Sequence, residues 1–321
     1  SYYGLYNPYI LVSYLFPQIK MINYLIATNC LIVVISTILF YFFLRKHHHN
    51  EQISFITSFL FLVSGPLIFH AKRHIMFINY FPFLMIGLFG IDQLLEKKKS
   101  TLLILSTTLT ILSSYYFSIP SLIVLYLYYL YKYFQDENNI TINKIINKTK
   151  KIILSYLTSI MISSLLLLPT VYTLLAGRAS STKKINLLNL FTPSISTSLL
   201  YSPYSIGLTL ISLISLVYFA LKGKKETKYL SITCLLITTF PIFNYLLNGT
   251  LYINAKSLIP FIPLILILVA KFLEIFLKKQ QKKKQKLIIL FLIISSFTIC
   301  LSTNSNDKLM KRSDINNKEY Q

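Results

Sequence analysis

"TLLILSTTLTILSSYYFSIPSLIVLYLYYLYKYF", residues 101–134, is apolar almost throughout and carries a single charged residue, Lys132. As one α-helix it would reach about 50 Å, well beyond the ~30 Å hydrocarbon core of a bilayer. Folded as a hairpin, each arm is about 25 Å and only just spans. The turn-forming stretch "SSYYFSIPS", with Pro120, lies near the middle and permits the hairpin. One crossing or two decides the side on which every later loop falls. With two crossings the lysine-rich loops beyond residue 134 face inward; with one they face outward. Cytoplasmic loops carry the excess of Lys and Arg, so the hairpin is the reading.

Working outward, the same apolar pattern recurs along the chain of 321 residues, which is 54% hydrophobic with a mean hydropathy of +0.60. Runs of 17 or more apolar residues are too long and too many for a soluble core, and only helices or closed barrels cross lipid. Period-2 alternation is absent, which removes the barrel. The expected fold class is all-α, a polytopic membrane protein. Spans are expected at 19–44, 53–69 and 75–95, the hairpin arms within 101–134, then 152–175, 205–221, 229–247, 257–277 and 287–303. Residues 5–17, bracketed by Pro8 and Pro17, are too short to cross and suit an interfacial or re-entrant helix.

This count gives about ten spans in a multi-pass domain, 1–303, followed by an extracytoplasmic tail, 304–321. Inner loops then fall at 45–52, 96–100, 132–151, 222–228 and 271–286, and hold 21 of the 32 Lys and Arg residues. The net charge of +22 is explained by this bias, and no nucleic-acid partner is expected. Both termini come out extracytoplasmic, at the cell membrane. An outward start implies a further upstream span, so the chain reads as a piece of a longer protein. Cys30, Cys234 and Cys300 each lie inside an apolar run with no metal-ligand spacing.

The outer connections at 70–74, 176–204 and 248–257 carry Lys72, Arg73, Arg178, Lys183, Lys184 and Lys256 and no carboxylate. Such a surface suits an anion, phosphate above all, since Arg grips it bidentately and Lys acts as a point charge. In "FHAKRHIMF", residues 69–77, His70, Lys72, Arg73 and His74 crowd one tight turn. The competing reading is that these cations snorkel to lipid headgroups. Adjacent His47, His48 and His49 on an inner loop suit a solvated or headgroup-facing stretch; no metal site is expected there. The many tyrosines suit the interfacial aromatic belt, with some free to stack on a sugar ring.

"YYGLYNPYILVSYLFP" (2–17), "FLVSGPLIFHAKRHIMFINYFPFLMIGLFGIDQLLEKKK" (61–99), "SSYYFSIPSLIVLYLYYL", "YSPYSIGLTLI" and "LYINAKSLIPFIPLILILVA" follow one another in an order that resembles the YfhO family of bacterial membrane proteins. The resemblance implies a GT-C-type glycosyltransferase that uses a polyprenyl-phosphate sugar donor at the outer face. Its implied acceptor is an anionic cell-envelope polymer such as the teichoic acid of Gram-positive bacteria. Donor contacts then fall to Lys72, Arg73, His70, His74, Arg178 and Lys256, and acceptor contacts to Lys183 and Lys184. No cofactor is expected.

The chain departs from the family pattern at Asn79-Tyr80, where Asn-Pro is usual, and at Lys256, where the family carries Arg. The family's acidic catalytic residue sits in a first outer loop upstream of Ser1, which leaves the catalytic residue unassigned here and this chain catalytically incomplete. The other function classes are a transporter or flippase of an anionic lipid-linked substrate and a non-catalytic membrane scaffold.

Overall fold

The computed structural model describes residues 7–71, 75–136, 142–175, 187–193, 204–250 and 253–279. Among these every regular element is helical. Asn7 caps the six-residue helix α1, Pro8–Ser13, by accepting from the Tyr9 N–H. Next come α2, Met21–Lys46, α3, Glu51–Leu62, and α4, Gly65–His70, broken from α3 at Ser64. A 3-10 turn at Ile75–Phe77 leads into α5, Phe81–Lys97. The remaining helices of the first half are α6, Thr101–Ser113, and α7, Tyr115–Asp136.

The second half holds α8, Ile142–Ile162, α9, Ser164–Leu175, α10, Leu187–Phe191, α11, Leu210–Lys222, α12, Lys225–Thr239, and α13, Pro241–Leu247. A 3-10 segment at Ala255–Phe261 then runs into α14, Ile262–Lys279.

The hairpin is present, and its register can be read from α5. The Leu103 backbone abuts Gly90 and the Ser106 hydroxyl abuts Gly87. The Asn79 amide donates to Ser113 O at 2.9 Å. Positions therefore fall on α5 as they rise on α6, and the two helices are antiparallel. Against α7 both rise together: Tyr80 stacks on Phe117, Gly87 meets Leu125, and Asp92 accepts from Tyr128. So α6 and α7 are antiparallel arms.

The turn falls at Ser114, inside the expected stretch "SSYYFSIPS" and at its start, where an extended backbone (φ −156°, ψ 99°) ends α6. Pro120 sits inside α7 near its start. There it forfeits only the bond to the carbonyl of Tyr116, the second residue of the helix.

Three helical stretches are long and apolar enough to cross a membrane: Met21–Lys46, Ile75–Lys97 and Ala255–Leu277. Two further stretches qualify only as bent pairs, Thr149–Ile162 with Ser164–Thr173 at 77° and Lys225–Thr239 with Pro241–Leu247 at 84°. The described residues thus give three crossings, or up to five, where the sequence suggests about ten. One reason is length: α3, α6 and α11 have 12 or 13 residues. Each is about 20 Å long and falls short of the bilayer core alone. The expected span at 287–303 and the tail at 304–321 lie outside the described residues.

Burial sorts the helices into layers. In the 255–277 stretch 83% of the most apolar window is buried, against 33% in α2. Helix α14 is the central post, packed by α2, α3, α11 and α12. The side chains of Leu31, Val34, Ile38 and Phe42 leave α2 outward, where lipid would meet them. Tight approach of α5 to α6 depends on Gly90: an added Cβ would lie 2.9 Å from both the N and Cα of Leu103.

Candidate functional site

The bundle has two polar ends. At one, the described flanks of the connections expected outside, at His70, Phe77, Tyr204, Asn248 and Lys256, come together. His70 closes α4, fully buried, its ring stacked 3.9 Å from Phe77 and nearly parallel to it. Tyr204 packs edge-on at 5.2 Å. Phe77 touches Phe117, and Phe117 touches Tyr116. Tyr116 in turn supports Lys256, whose Nζ stands 4.8 Å from the ring centroid.

The loop that carries Lys256 is held by one amide. Asn248 accepts a short hydrogen bond from the Tyr116 hydroxyl, and its Nδ2 donates to Asn244 O and to Asn254 O at 2.8 Å. Asn254 then caps the 3-10 segment by accepting from the Lys256 N–H at 3.0 Å. An unbroken line of aromatic contacts thus runs from His70 to Lys256. It joins two of the expected donor residues, but His70 is set inside it instead of at the surface. Lys72, Arg73, His74, Arg178, Lys183 and Lys184 lie outside the described residues.

The opposite end is a polar site that the sequence reading missed. Asp92, with no exposed surface, faces inward from α5. Its Oδ2 accepts from Lys46 Nζ at 3.1 Å and from His47 Nε2 at 2.9 Å, and its Oδ1 accepts from the Tyr128 hydroxyl at 2.7 Å. Tyr128 donates its one proton to Asp92, so the proton on the 3.0 Å contact between His47 and Tyr128 belongs to His47 Nε2. A buried carboxylate survives in such a helix only when its lone pairs are taken up in this way. Lys46 also reaches Glu96 at 3.4 Å.

A helix ending arranges the three histidines. The His49 N–H bonds to Leu44 O and the His48 N–H to Arg45 O, with His48 left-handed at φ 59°. That is the Schellman geometry, with His48 where glycine is usual. The turn sends His47 to Asp92 and His49 to Glu274, the latter at 3.2 Å, and leaves His48 exposed. Burial holds the His49 pKa below its ordinary value of 6.5, against the opposing pull of Glu274. The solvated stretch read from sequence is therefore corrected: His49 is buried and His47 half-buried because each meets a carboxylate from a distant helix. Among the described residues no group of His, Cys, Asp and Glu could hold a metal ion.

Asp92 in the apolar run "GLFGIDQLL" was the available signal, since an ionisable residue in an apolar helix needs a partner. The partners come from α2 and α7, far away in sequence.

A family model described as bacterial membrane protein YfhO matches residues 1–247. The chain belongs to the YfhO family. It is a membrane protein of that family with membrane-spanning helices. No curated protein and no solved structure matches it. The YfhO match takes in Asp92, Tyr128 and the histidine turn; Lys256, Lys271 and Glu274 lie beyond it.

Proposed function

We propose that this YfhO-family protein is a GT-C-type membrane glycosyltransferase. It takes a polyprenyl-phosphate sugar at the outer face and glycosylates an anionic envelope polymer such as teichoic acid. The supporting observation is the end of the bundle where Tyr116, Asn248, Asn254 and Lys256 interlock. The three connections assigned to that side carry six Lys and Arg residues and no carboxylate. Transfer breaks the bond from the anomeric carbon to the phosphate oxygen, and the phosphate departs with the electron pair. Fixed cations stabilise the charge that develops there. Aromatic rings beside them offer a stacking face for sugar. The acceptor hydroxyl must lose its proton to a base, and these connections supply no carboxylate for that step.

The test uses membranes from cells expressing the full-length protein, supplied with radiolabelled polyprenyl-phosphate sugar. Label is expected in the polymer fraction. With Arg73→Ala donor binding should weaken by roughly one to two orders of magnitude, and with Arg73→Lys recover in part. Label that stays on the lipid while the lipid changes leaflet would favour the second reading, a transporter of an anionic lipid-linked substrate. The two broken helix pairs, bent by 77° and 84°, give that reading its support, since broken helices line many transporter sites. Neither transfer nor translocation would leave a scaffold.

A further inference from the structure

The lysine-rich end of the bundle holds two cavities that nothing in the glycosyltransferase reading uses. One, of about 190 Å³, is lined by His48, Tyr131, Lys132, Gln135 and Lys271 beside the histidine turn. The other, of about 430 Å³, is lined by Lys222, Lys224, Glu226, Thr227, Lys271 and Glu274 among others. Gln135 and Lys271 line both, so the two cavities meet at these side chains. Lys271 is held there: its Nζ stands 4.9 Å from the Tyr131 ring centroid.

The charges do not balance. Lys132, Lys222, Lys224 and Lys271 face Glu226 and Glu274, and Glu274 is engaged by His49 at 3.2 Å. His48 adds a further donor at the mouth. Four ammonium groups gathered from α7, α11, α14 and the α11–α12 turn outnumber these two carboxylates, and the excess positive charge favours a further anion between them. Gln135 and Tyr131 bring neutral donors to the same space. A phosphate group has the charge and the acceptor oxygens for such a lining.

We propose that the paired cavities around Lys271 form a phosphate-binding site at the end of the bundle opposite Lys256. The phosphate is that of an anionic phospholipid headgroup or free inorganic phosphate, and the chemistry of recognition is shared. This site is independent of the outer donor site and stands or falls separately.

The experiment compares the full-length parent, Lys271→Met, Lys271→Arg and Lys256→Met. One arm follows binding of radiolabelled inorganic phosphate to protein in a zwitterionic detergent. The other measures melting temperature in nanodiscs of phosphatidylcholine with rising phosphatidylglycerol. Saturable phosphate binding, weakened about tenfold or more by Lys271→Met and kept by Lys271→Arg and Lys256→Met, supports the site with free phosphate as ligand. A rise in melting temperature with phosphatidylglycerol that Lys271→Met alone abolishes supports it with lipid as ligand. If Lys271→Met fails to fold, the exposed pair Lys222→Met/Lys224→Met takes its place in both arms. Behaviour of the folded variant indistinguishable from the parent in both arms overturns the proposal.

Discussion

His47 Nε2 lies 2.9 Å from Asp92 Oδ2, closing a contact between the end of α2 and the buried face of α5. Lys46 and Tyr128 complete the shell, and the burden of burial is unequal. Asp92 has no exposed side-chain surface, whereas Lys46 keeps 36% and His47 21%. Removing the anion lets both Lys46 and His47 turn to water. Removing both donors strands the anion.

Lys46→Met/His47→Leu is therefore expected to cost roughly 3–5 kcal/mol, the range for breaking a buried pair from one side. Asp92→Asn should cost about 1–3 kcal/mol, since the amide keeps a hydrogen-bonding partner for Tyr128. Adding Asp92→Asn to the double variant should restore part of the loss. Thermal unfolding in detergent reads all three, and an additive triple variant would show that the groups do not interact.

Close helix contact gives a second expectation. At Gly90 an added methyl meets the backbone of Leu103, which cannot move without shifting α6. At Gly87 it meets the Cδ atoms of Leu125, the far end of a flexible side chain. Gly90→Ala should destabilise by about 1–3 kcal/mol and Gly87→Ala by less than about 1 kcal/mol. Equal melting temperatures for the two variants would contradict the observed α5–α6 approach.

The left-handed His48 gives a third. Glycine adopts φ 59° without strain, so His48→Gly should raise stability by about 0.5–1 kcal/mol. The same change removes a side chain from the mouth of the cavity at Lys271. Higher melting temperature together with weaker phosphate binding is the expected combination.

Much of this was legible in the sequence, and unevenly so. The hairpin of 101–134 followed from charge parity, and its two arms are there. Its turn lies at the start of the stretch "SSYYFSIPS", and Pro120, in the second turn of α7, is accommodated at the loss of one backbone bond. Hydropathy alone could not show that residues 152–175 and 229–247 bend sharply, since apolar composition continues across Ser163 and Phe240. The cations expected outside are visible as charges against the topological bias. The Asp92 site is less so, because Asp92, His47 and Tyr128 meet only through tertiary packing, and of the three only the acid in its apolar helix stands out in its own segment.

Acid should act through His49. Its pKa is depressed in the folded protein, chiefly by burial, so folding disfavours the proton. The stability this group contributes is complete above the unfolded value of 6.5 and is lost as pH falls through the lower folded value. His49→Asn keeps a donor near Glu274 and cannot titrate in this range. The melting temperature of the parent is expected to drop relative to this variant as pH falls below 6.5. A constant difference between the two from pH 8 to pH 5 would rule the mechanism out.

Sidedness decides how the two ends are used. Lys99 and Ile253 are both exposed and lie at opposite ends of the bundle, since Lys99 follows α5 beside Glu96 and Ile253 precedes the Asn254 cap. The lysine bias places Lys99 inside and Ile253 outside. In a background with Cys30, Cys234 and Cys300 changed to Ser, an impermeant thiol reagent applied to intact cells should label Ile253→Cys and spare Lys99→Cys. Permeabilised cells should show both. The reverse pattern would put the Lys256 end in the cytoplasm, where no outer-face donor could reach it. The glycosyltransferase reading would then fail, while the phosphate site at Lys271 would remain open to its own test on the outer side.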